Sequence, residues 1–388
     1  MTLLVIGGTG VLSSAVVVEA LKQGINVTMI NRGNRERYIL PGVNLIKSDK
    51  NDKVTIAQGL NVKRFDAIID FLCFTPRDVE ESFKFYSSYT RQYIFISSCA
   101  VYDKTVAGPK NEDSPKVLKI WPYSVNKWAS EQCLYRLAEK SDINYTVIRP
   151  CVTYGDTRIP YGISPRHGYD WTLVARILHG KPIIRWNGGT TRCNMLRVED
   201  FAIGLIGLIG NPKAYNDVFN ICGDETPSFA EVIEALSRVV GKEAVFVDIT
   251  SEFYAHELPE RAGEILGGRS IDGINKNDKI KAIVPNFKQN IFLREGVSMT
   301  YQAYISQNYQ LGIDWKFEGD CDRIIRKWCK IRGIDSRCYN LKFVDYLGNA
   351  NRADRMSYYF ALNRNRLYIR LLKYGARIIR RLRQLLNN

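Results

Sequence analysis

Tyr123 and Lys127 stand four residues apart in Tyr123-Ser-Val-Asn-Lys127, a spacing that puts both side chains on one face of a helix. An ammonium held beside a phenol favours the phenolate, lowering a pKa that is about 10 in water. Such a pair suits proton transfer at a hydroxyl or carbonyl. Ser98, in Ile96-Ser-Ser-Cys-Ala-Val-Tyr102, lies 25 positions before Tyr123. Serine, tyrosine and lysine together describe a hydride-transfer site in which a nicotinamide does the redox chemistry.

A phosphate-binding loop precedes them. Gly7, Gly10 and Ser13 occupy the three positions of a G-x-x-G-x-x-G pattern directly after an apolar, strand-like run. Without Cβ atoms, the first two let the backbone turn tightly and approach a pyrophosphate, while a helix beginning near Val11 points its positive end at that anion. The third position needs only a small residue, which Ser13 is. At the end of the second strand an acid usually holds the ribose hydroxyls of NAD. Here the chain reads Asn31-Arg32-Gly33, and a guanidinium suits a 2′-phosphate, so the expected cofactor is NAD(P), with NADP favoured over NAD. Arg32 stacked beside adenine would serve NAD equally. Asp49, after the third strand, is placed to read the adenine amino group, or else is a solvated loop aspartate.

These residues need a parallel sheet to hold them. The first 150 residues alternate strand-like and helix-like segments, the pattern of a doubly wound α/β domain. Strands are expected at Leu3–Ile6, Asn26–Ile30, Val43–Lys47, Ala67–Phe71, Gln92–Ser97 and Tyr145–Ile148, and helices at Val11–Gln23, Pro76–Tyr89 and Pro122–Glu139. After Arg149-Pro150 the chain becomes rich in Gly, Pro and Tyr. A smaller, mostly helical substrate lobe is expected over 151–335, with a segment near 190–222 returning to the first domain; Asp217–Ile221 is its strand. Its helices are expected at Trp171–His179, Val198–Ile209, Ser228–Val240, Asn275–Ile283, Arg294–Gln307 and Asp320–Arg332, with a strand at Pro182–Arg185.

The nine cysteines include no C-x-x-C pair, and the three histidines are scattered, so reduced thiols and no metal site are expected. No run approaches the roughly 20 apolar residues of a membrane span, and residues 1–12 lack the basic flank of a signal peptide, which together predict a cytoplasmic protein. The formal charge of +15 is uneven: residues 352–388 hold ten Lys/Arg and one Asp, or +9, leaving +6 for the rest. Basic character confined to a tail is not the footprint of a nucleic-acid-binding body. Over 336–388 a basic helical extension is expected. From Leu362 to Leu386, residues Leu367, Leu371, Tyr374, Ile378, Leu382 and Leu385 form an apolar stripe beside a basic one. Such a helix can pack on the body, join a homodimer, or lie peripherally on the inner face of an anionic membrane.

In order and spacing, Gly7-Gly-Thr-Gly10, Ser97-Ser98-Cys-Ala-Val-Tyr102, Tyr123-Ser-Val-Asn-Lys127 and Arg149-Pro150 followed by Tyr154-Gly155 resemble an extended short-chain dehydrogenase/reductase of the NAD-dependent epimerase/dehydratase family. The resemblance spans roughly residues 1–240. It implies that Tyr123 exchanges a proton with a sugar oxygen, that Lys127 binds the nicotinamide ribose and stabilises the phenolate, and that Pro150 lies beside the nicotinamide. It also implies a nucleotide-sugar substrate. Dehydratases of the family carry an Asp-Glu pair after the serine position; Cys99-Ala100 stands there, which leaves 4-epimerisation or 4-keto reduction. Members often hold the substrate pyrophosphate with an arginine seven residues before the aspartate of V-x-D. Val198-Glu-Asp200 matches, but the seven-back residue is Cys193, so Arg192, one position off, and Arg197 are the candidates. Asn31-Arg-Gly33 also resembles a branch containing chloroplast stem-loop RNA-binding proteins, which supplies a contrasting expectation: an RNA-binding protein on a vestigial cofactor fold.

Overall fold

In the computed structural model, residues 1–34, 39–61, 64–116, 119–308 and 312–369 are described. The first half alternates strand and helix: β1 (Thr2–Ile6), α1 (Val11–Lys22), β2 (Asn26–Asn31), β3 (Asn44–Lys47), α2 (Lys53–Leu60), β4 (Ala67–Asp70), α3 (Pro76–Tyr86), β5 (Gln92–Ile96), α4 (Pro122–Ala138) and β6 (Asn144–Pro150). Then come β7 (Val152–Tyr154), α5 (Trp171–Leu178), β8 (Ile183–Trp186), β9 (Met195–Arg197), α6 (Val198–Ile206), β10 (Asp217–Ile221), α7 (Phe229–Val240), β11 (Phe246–Ile249) and α8 (Ser251–Glu257). Last are α9 (Ala262–Glu264), a π-helical turn at Ile265–Arg269, α10 (Asp278–Ile283), α11 (Leu293–Ser306), α12 (Trp315–Arg332) and α13 (Arg352–Leu362).

Seven parallel strands form the main sheet in the order β10-β6-β5-β4-β1-β2-β3. Alternation along β1 shows why both faces are covered. Leu3 and Val5 pack with Val16, Val17 and Ala20 of α1 and with Phe201, Ala202 and Leu205 of α6. Leu4 and Ile6 point the other way, into Ile56 and Leu60 of α2, Val79 and Phe83 of α3, and Leu134 of α4. Burying each such side chain is worth about 1.5–3 kcal/mol, so a one-residue slip would misplace every one of them. The strand order reverses between β1 and β4, and in open parallel sheets the crevice beyond the strand ends at such a point is where ligands bind.

The doubly wound sheet with a smaller helical lobe is the architecture read from the sequence. The differences are local. Helix α2 was not foreseen: its Val54, Thr55 and Gly59 are poor helix formers, yet Asp52 caps it by accepting the Thr55 N–H at 3.1 Å, and Ile56 and Leu60 anchor it. Helix α12 starts at Trp315 rather than Asp320 because the Asp314 side chain accepts the Phe317 N–H at 3.1 Å. Strand β8 falls where a strand was expected at Pro182–Arg185, but its partner β11 and the pair β7–β9 are only three to four residues long, too short for a pattern to reveal, and helix α8 was likewise missed. Residues 336–369, the start of the extension expected over 336–388, pack on the lobe. Tyr358 of α13 donates to the buried Asp322 of α12 at 2.7 Å, and Arg364 forks onto Glu260 with two bonds of 3.0 Å. The predicted 362–386 helix does not begin as expected, since Leu362 ends α13 and 363–366 form a turn. Its remainder from residue 370 onward lies outside the described residues. All nine cysteines are free thiols, seven of them buried. Among the described residues no helix is long and apolar enough to cross a membrane.

Candidate active site

The crevice at the strand ends opens into a cavity of about 480 Å³. Gly7, Gly10 and Ser13 line it from the β1–α1 loop, Leu72 and Phe74 from the end of β4, Ser98 from the end of β5, Tyr123 and Lys127 from α4, and Pro150 from the end of β6. Thus the structure brings the residues of the serine–tyrosine–lysine set and of the glycine loop to one space.

The loop has the conformation a phosphate needs. Gly7 and Gly8 have φ of +108° and +28°, a region that side chains disfavour. A Cβ on Gly8 would lie 2.4 Å from the Met29 sulfur, and one on Gly7 would lie 3.1 Å from Leu72. Ser13 does more than keep the helix close to the sheet: its hydroxyl accepts the Gly10 N–H at 2.8 Å, holding the loop against the first turn of α1. Asn31 is a loop-holding residue too. Its amide donates to the Gly7 carbonyl at 3.1 Å and to the Thr9 hydroxyl at 2.9 Å, and its oxygen accepts the Gly33 N–H at 3.1 Å. Arg32 and Asp49 are exposed and do not line the cavity. The Asp49 carboxylate accepts the Asn51 N–H at 3.0 Å within its own turn. This glycine cradle and helix terminus fit a dinucleotide pyrophosphate.

At the catalytic end Lys127 is buried, and its ammonium donates to the carbonyl oxygens of Cys73 at 2.7 Å and Ile96 at 2.8 Å. Burial lowers its pKa to about 8, against the opposing pull of Cys73 and Asp70. The expectation that Lys127 is what pulls Tyr123 downward needs revision. Burial pushes the Tyr123 phenol up, and the pulls against it come from a hydrogen bond with Ser98 and from Arg158 and Arg269. Without cofactor, then, the lysine is engaged by the ends of β4 and β5, and the phenol feels the arginines of the lobe.

Those arginines escaped the sequence reading. Arg158, Arg269 and Lys104 all line the cavity, whose lining, among the described residues, contains no carboxylate. Burial and the neighbouring Arg269 lower the pKa of Lys104 to about 8. Arg158 is held below its ordinary value by burial and then by Arg269. Behind it the buried Asp170 carboxyl rises to about 7 through desolvation, with Arg158 pulling it back. Such a concentration of positive charge is a site for an anion. The only sequence signals were Arg158 three residues past Tyr154-Gly155 and the glycine pair before Arg269. Neither proposed phosphate arginine lines this cavity. Arg192 is on the surface, donating to the Thr226 carbonyl at 3.0 Å and pairing with Glu231 at 3.2 Å. Arg197 is fully buried, held by Asp156, Glu199 and the Thr300 hydroxyl; its charge is already matched.

Beneath the site a buried ionic network fixes the strand ends. The guanidinium of Arg149, just before Pro150, donates to both carboxylate oxygens of Glu131, at 3.0 and 2.6 Å. Ser97, just before Ser98, donates to the same carboxylate, as does Tyr135 at 2.9 Å. Arg149 also donates to the Tyr102 hydroxyl at 2.8 Å, which in turn donates to Asn220 of β10 at 2.6 Å. Glu131 follows Lys127 by one helical turn, so the face of α4 that carries Tyr123 and Lys127 also carries their anchor.

A model of the NAD dependent epimerase/dehydratase family matches residues 3–222. The chain is 28% identical over 257 residues to the chloroplast stem-loop binding protein of 41 kDa b of Arabidopsis thaliana, covering 62% of this chain and 63% of that protein, less than two thirds of its length. It is 26% identical over 277 residues to a UDP-glucose 4-epimerase of Lactobacillus helveticus, covering 62% of this chain and 82% of the relative. Among solved structures, UDP-glucose 4-epimerase with UDP-glucose from Thermotoga maritima superposes with a TM-score of 0.64 at 18% identity, over 79% of this chain and all of that one (100%). At that identity the superposition shows a shared fold.

Proposed function

The chain belongs to the NAD dependent epimerase/dehydratase family, and from that premise we propose that it is an NAD(P)-dependent nucleotide-sugar epimerase acting at C4. The observation that carries this reading is the convergence of Ser98, Tyr123 and Lys127 with the glycine loop on one cavity whose far wall bears Lys104, Arg158 and Arg269.

In this reading, Gly7, Gly10 and the first turn of α1 hold the cofactor pyrophosphate, and Lys127 and Pro150 flank its nicotinamide end. When bound, the nicotinamide supplies the hydride acceptor and donor. Tyr123 takes the proton from the sugar hydroxyl and returns it once the sugar has presented its other face. Ser98 hydrogen-bonds the same oxygen and, with Arg158 and Arg269, favours the phenolate. The lobe arginines and Lys104 neutralise the substrate diphosphate, taking the role first given to Arg192 and Arg197. Cys99 and Ala100 leave the site without the acid and base a dehydration would require. Arg32, exposed just after β2, would pair with a 2′-phosphate and so favour NADP over NAD.

Replacing Tyr123 by Phe should lower epimerisation of UDP-glucose by about 10²–10⁴-fold while leaving cofactor affinity unchanged. Full turnover by that variant would refute the mechanism. A 4-keto-sugar reductase would use the same residues but consume NADPH stoichiometrically, whereas an epimerase shows no net oxidation. Mass spectrometry of co-purifying ligands separates these and names the nucleotide. The named stem-loop binding relative motivates a second reading, in which the chain binds RNA. It predicts affinity that falls steeply with salt and survives Tyr123→Phe.

A further inference from the structure

Directly before the catalytic helix the backbone is strained. Ile120 has φ of +85°, a left-handed conformation that is a genuine outlier for a β-branched residue. Strain of this kind persists where surrounding contacts over-determine it, and it clusters at ligand sites. Here the contacts come from the lobe. A Cβ on Gly263 would lie 2.5 Å from the Ile120 carbonyl oxygen, one on Gly267 2.8 Å from the Ile120 side chain, and one on Gly268 2.8 Å from the Trp121 ring. Three residues without side chains therefore form a seat into which Ile120 and Trp121 press. Part of that seat is the π-helical turn Ile265–Arg269, a winding found mostly at functional sites. Lys104 donates to the Gly268 carbonyl at 2.5 Å, tying the turn to the loop after β5.

The strain sets one side chain in place. Trp121 is half-buried and lines the cavity. Its ring centre is 5.1 Å from that of Tyr123, with the two planes inclined at 42°, and the Arg269 guanidinium is 5.7 Å from its ring. The Lys127 ammonium, by contrast, is bound at the sheet by the carbonyl oxygens of Cys73 and Ile96. An indole beside the proton-transfer phenol, on the lobe side, reaches the part of a substrate that carries the reacting carbon. Its electron-rich face suits the weakly positive C–H face of a pyranose.

We infer that Trp121 is a specificity-determining residue, the platform on which the sugar ring of the substrate stacks, and that Gly268 is a positioning residue that lets the indole sit there. The inference rests on the nucleotide-sugar reading of the same cavity.

Calorimetric titration of the full chain loaded with NAD, using UDP-glucose and UDP as probes, tests it. Trp121→Leu should weaken UDP-glucose about five- to tenfold and change UDP by less than about twofold. Trp121→Phe should restore most of the difference, and Gly268→Ala should reproduce the loss for UDP-glucose alone. Equal weakening of both probes, or no weakening of either, would overturn the platform while leaving the nucleotide-sugar reading standing. A wild-type chain that binds neither probe would overturn that reading and the inference with it.

Discussion

Substituting Glu131 by Gln probes the anchor beneath the site without changing its shape. The pair it breaks is fully enclosed: the side chains of Arg149 and Glu131 are 2% and 0% exposed, with their closest atoms 2.6 Å apart. Burial alone would lower the pKa of Arg149, yet the hydrogen bonds and charge of Glu131 hold it above the ordinary arginine value. At an effective dielectric constant of about 20, opposite charges about 4 Å apart attract by about 4 kcal/mol. Removing one partner of a buried pair costs about 3–5 kcal/mol, because the other is left uncompensated. Glutamine keeps the volume but turns one acceptor into a donor facing Arg149, Ser97 or Tyr135. The expected loss is thus about 3–5 kcal/mol, read from urea unfolding followed by tryptophan fluorescence. Turnover should fall as well, since Ser97 and Arg149 directly precede Ser98 and Pro150. Glu131→Leu with Arg149→Met should recover much of the stability, because an apolar pair leaves no charge stranded. A single Glu131→Gln loss below about 1 kcal/mol, or a double variant as costly as the sum of its parts, would refute the reasoning.

The lowered pKa of Lys127 has a definite sign in stability. Folding depresses it from 10.5 to about 8, so its penalty is full below pH 8 and is relieved as the pH rises towards 10.5, where the unfolded chain still holds the proton. Without cofactor, the unfolding free energy of wild type relative to Lys127→Met should therefore improve by roughly 3 kcal/mol across that window; parallel pH profiles would contradict it. Arg32→Ala should weaken NADPH by roughly ten- to a hundredfold and NADH little, measured by nucleotide fluorescence; equal losses would mean that Arg32 does not read the 2′-phosphate. Asn31→Ala removes three bonds around the glycine loop and should raise the dissociation constants of both cofactors by about tenfold, while unchanged affinity would show the loop to be held by Ser13 alone.

The legible part of this protein was the part written in short, local patterns. Near-continuous apolar runs in β1 and β4, the glycine loop and the four-residue spacing of Tyr123 and Lys127 depend on neighbours in sequence, so the parallel sheet and the cavity's cofactor side could be read directly. Asp217–Ile221 was recognisable as a strand because Val218, Phe219 and Ile221 make a short β-forming apolar run. Helix α2 and the strands β7, β9 and β11 were not, since capping by Asp52 holds a helix poor in helix formers, and pairing with distant strands holds strands only three to four residues long. Even at the site, residue type proved easier to read than role. Asn31 was visible as a missing carboxylate, but only the folded chain shows its amide holding the loop.

What no pattern announced is the substrate side. Arg158 and Arg269 are 111 residues apart in sequence and meet at one cavity because the lobe folds back over the ends of the sheet. Arg192 and Arg197 were the better candidates by spacing, yet one has turned to the surface and the other is consumed by Asp156 and Glu199. A buried charge must find partners, and which partners lie within reach is decided by tertiary packing. The sequence by itself determined a glycine loop and a serine–tyrosine–lysine spacing on a doubly wound sheet, through local geometry that each segment carries within it. Which cations line the cavity, what holds Ser98 and Pro150 in place, and the strained seat of Trp121 were decided by contacts between residues far apart in the chain.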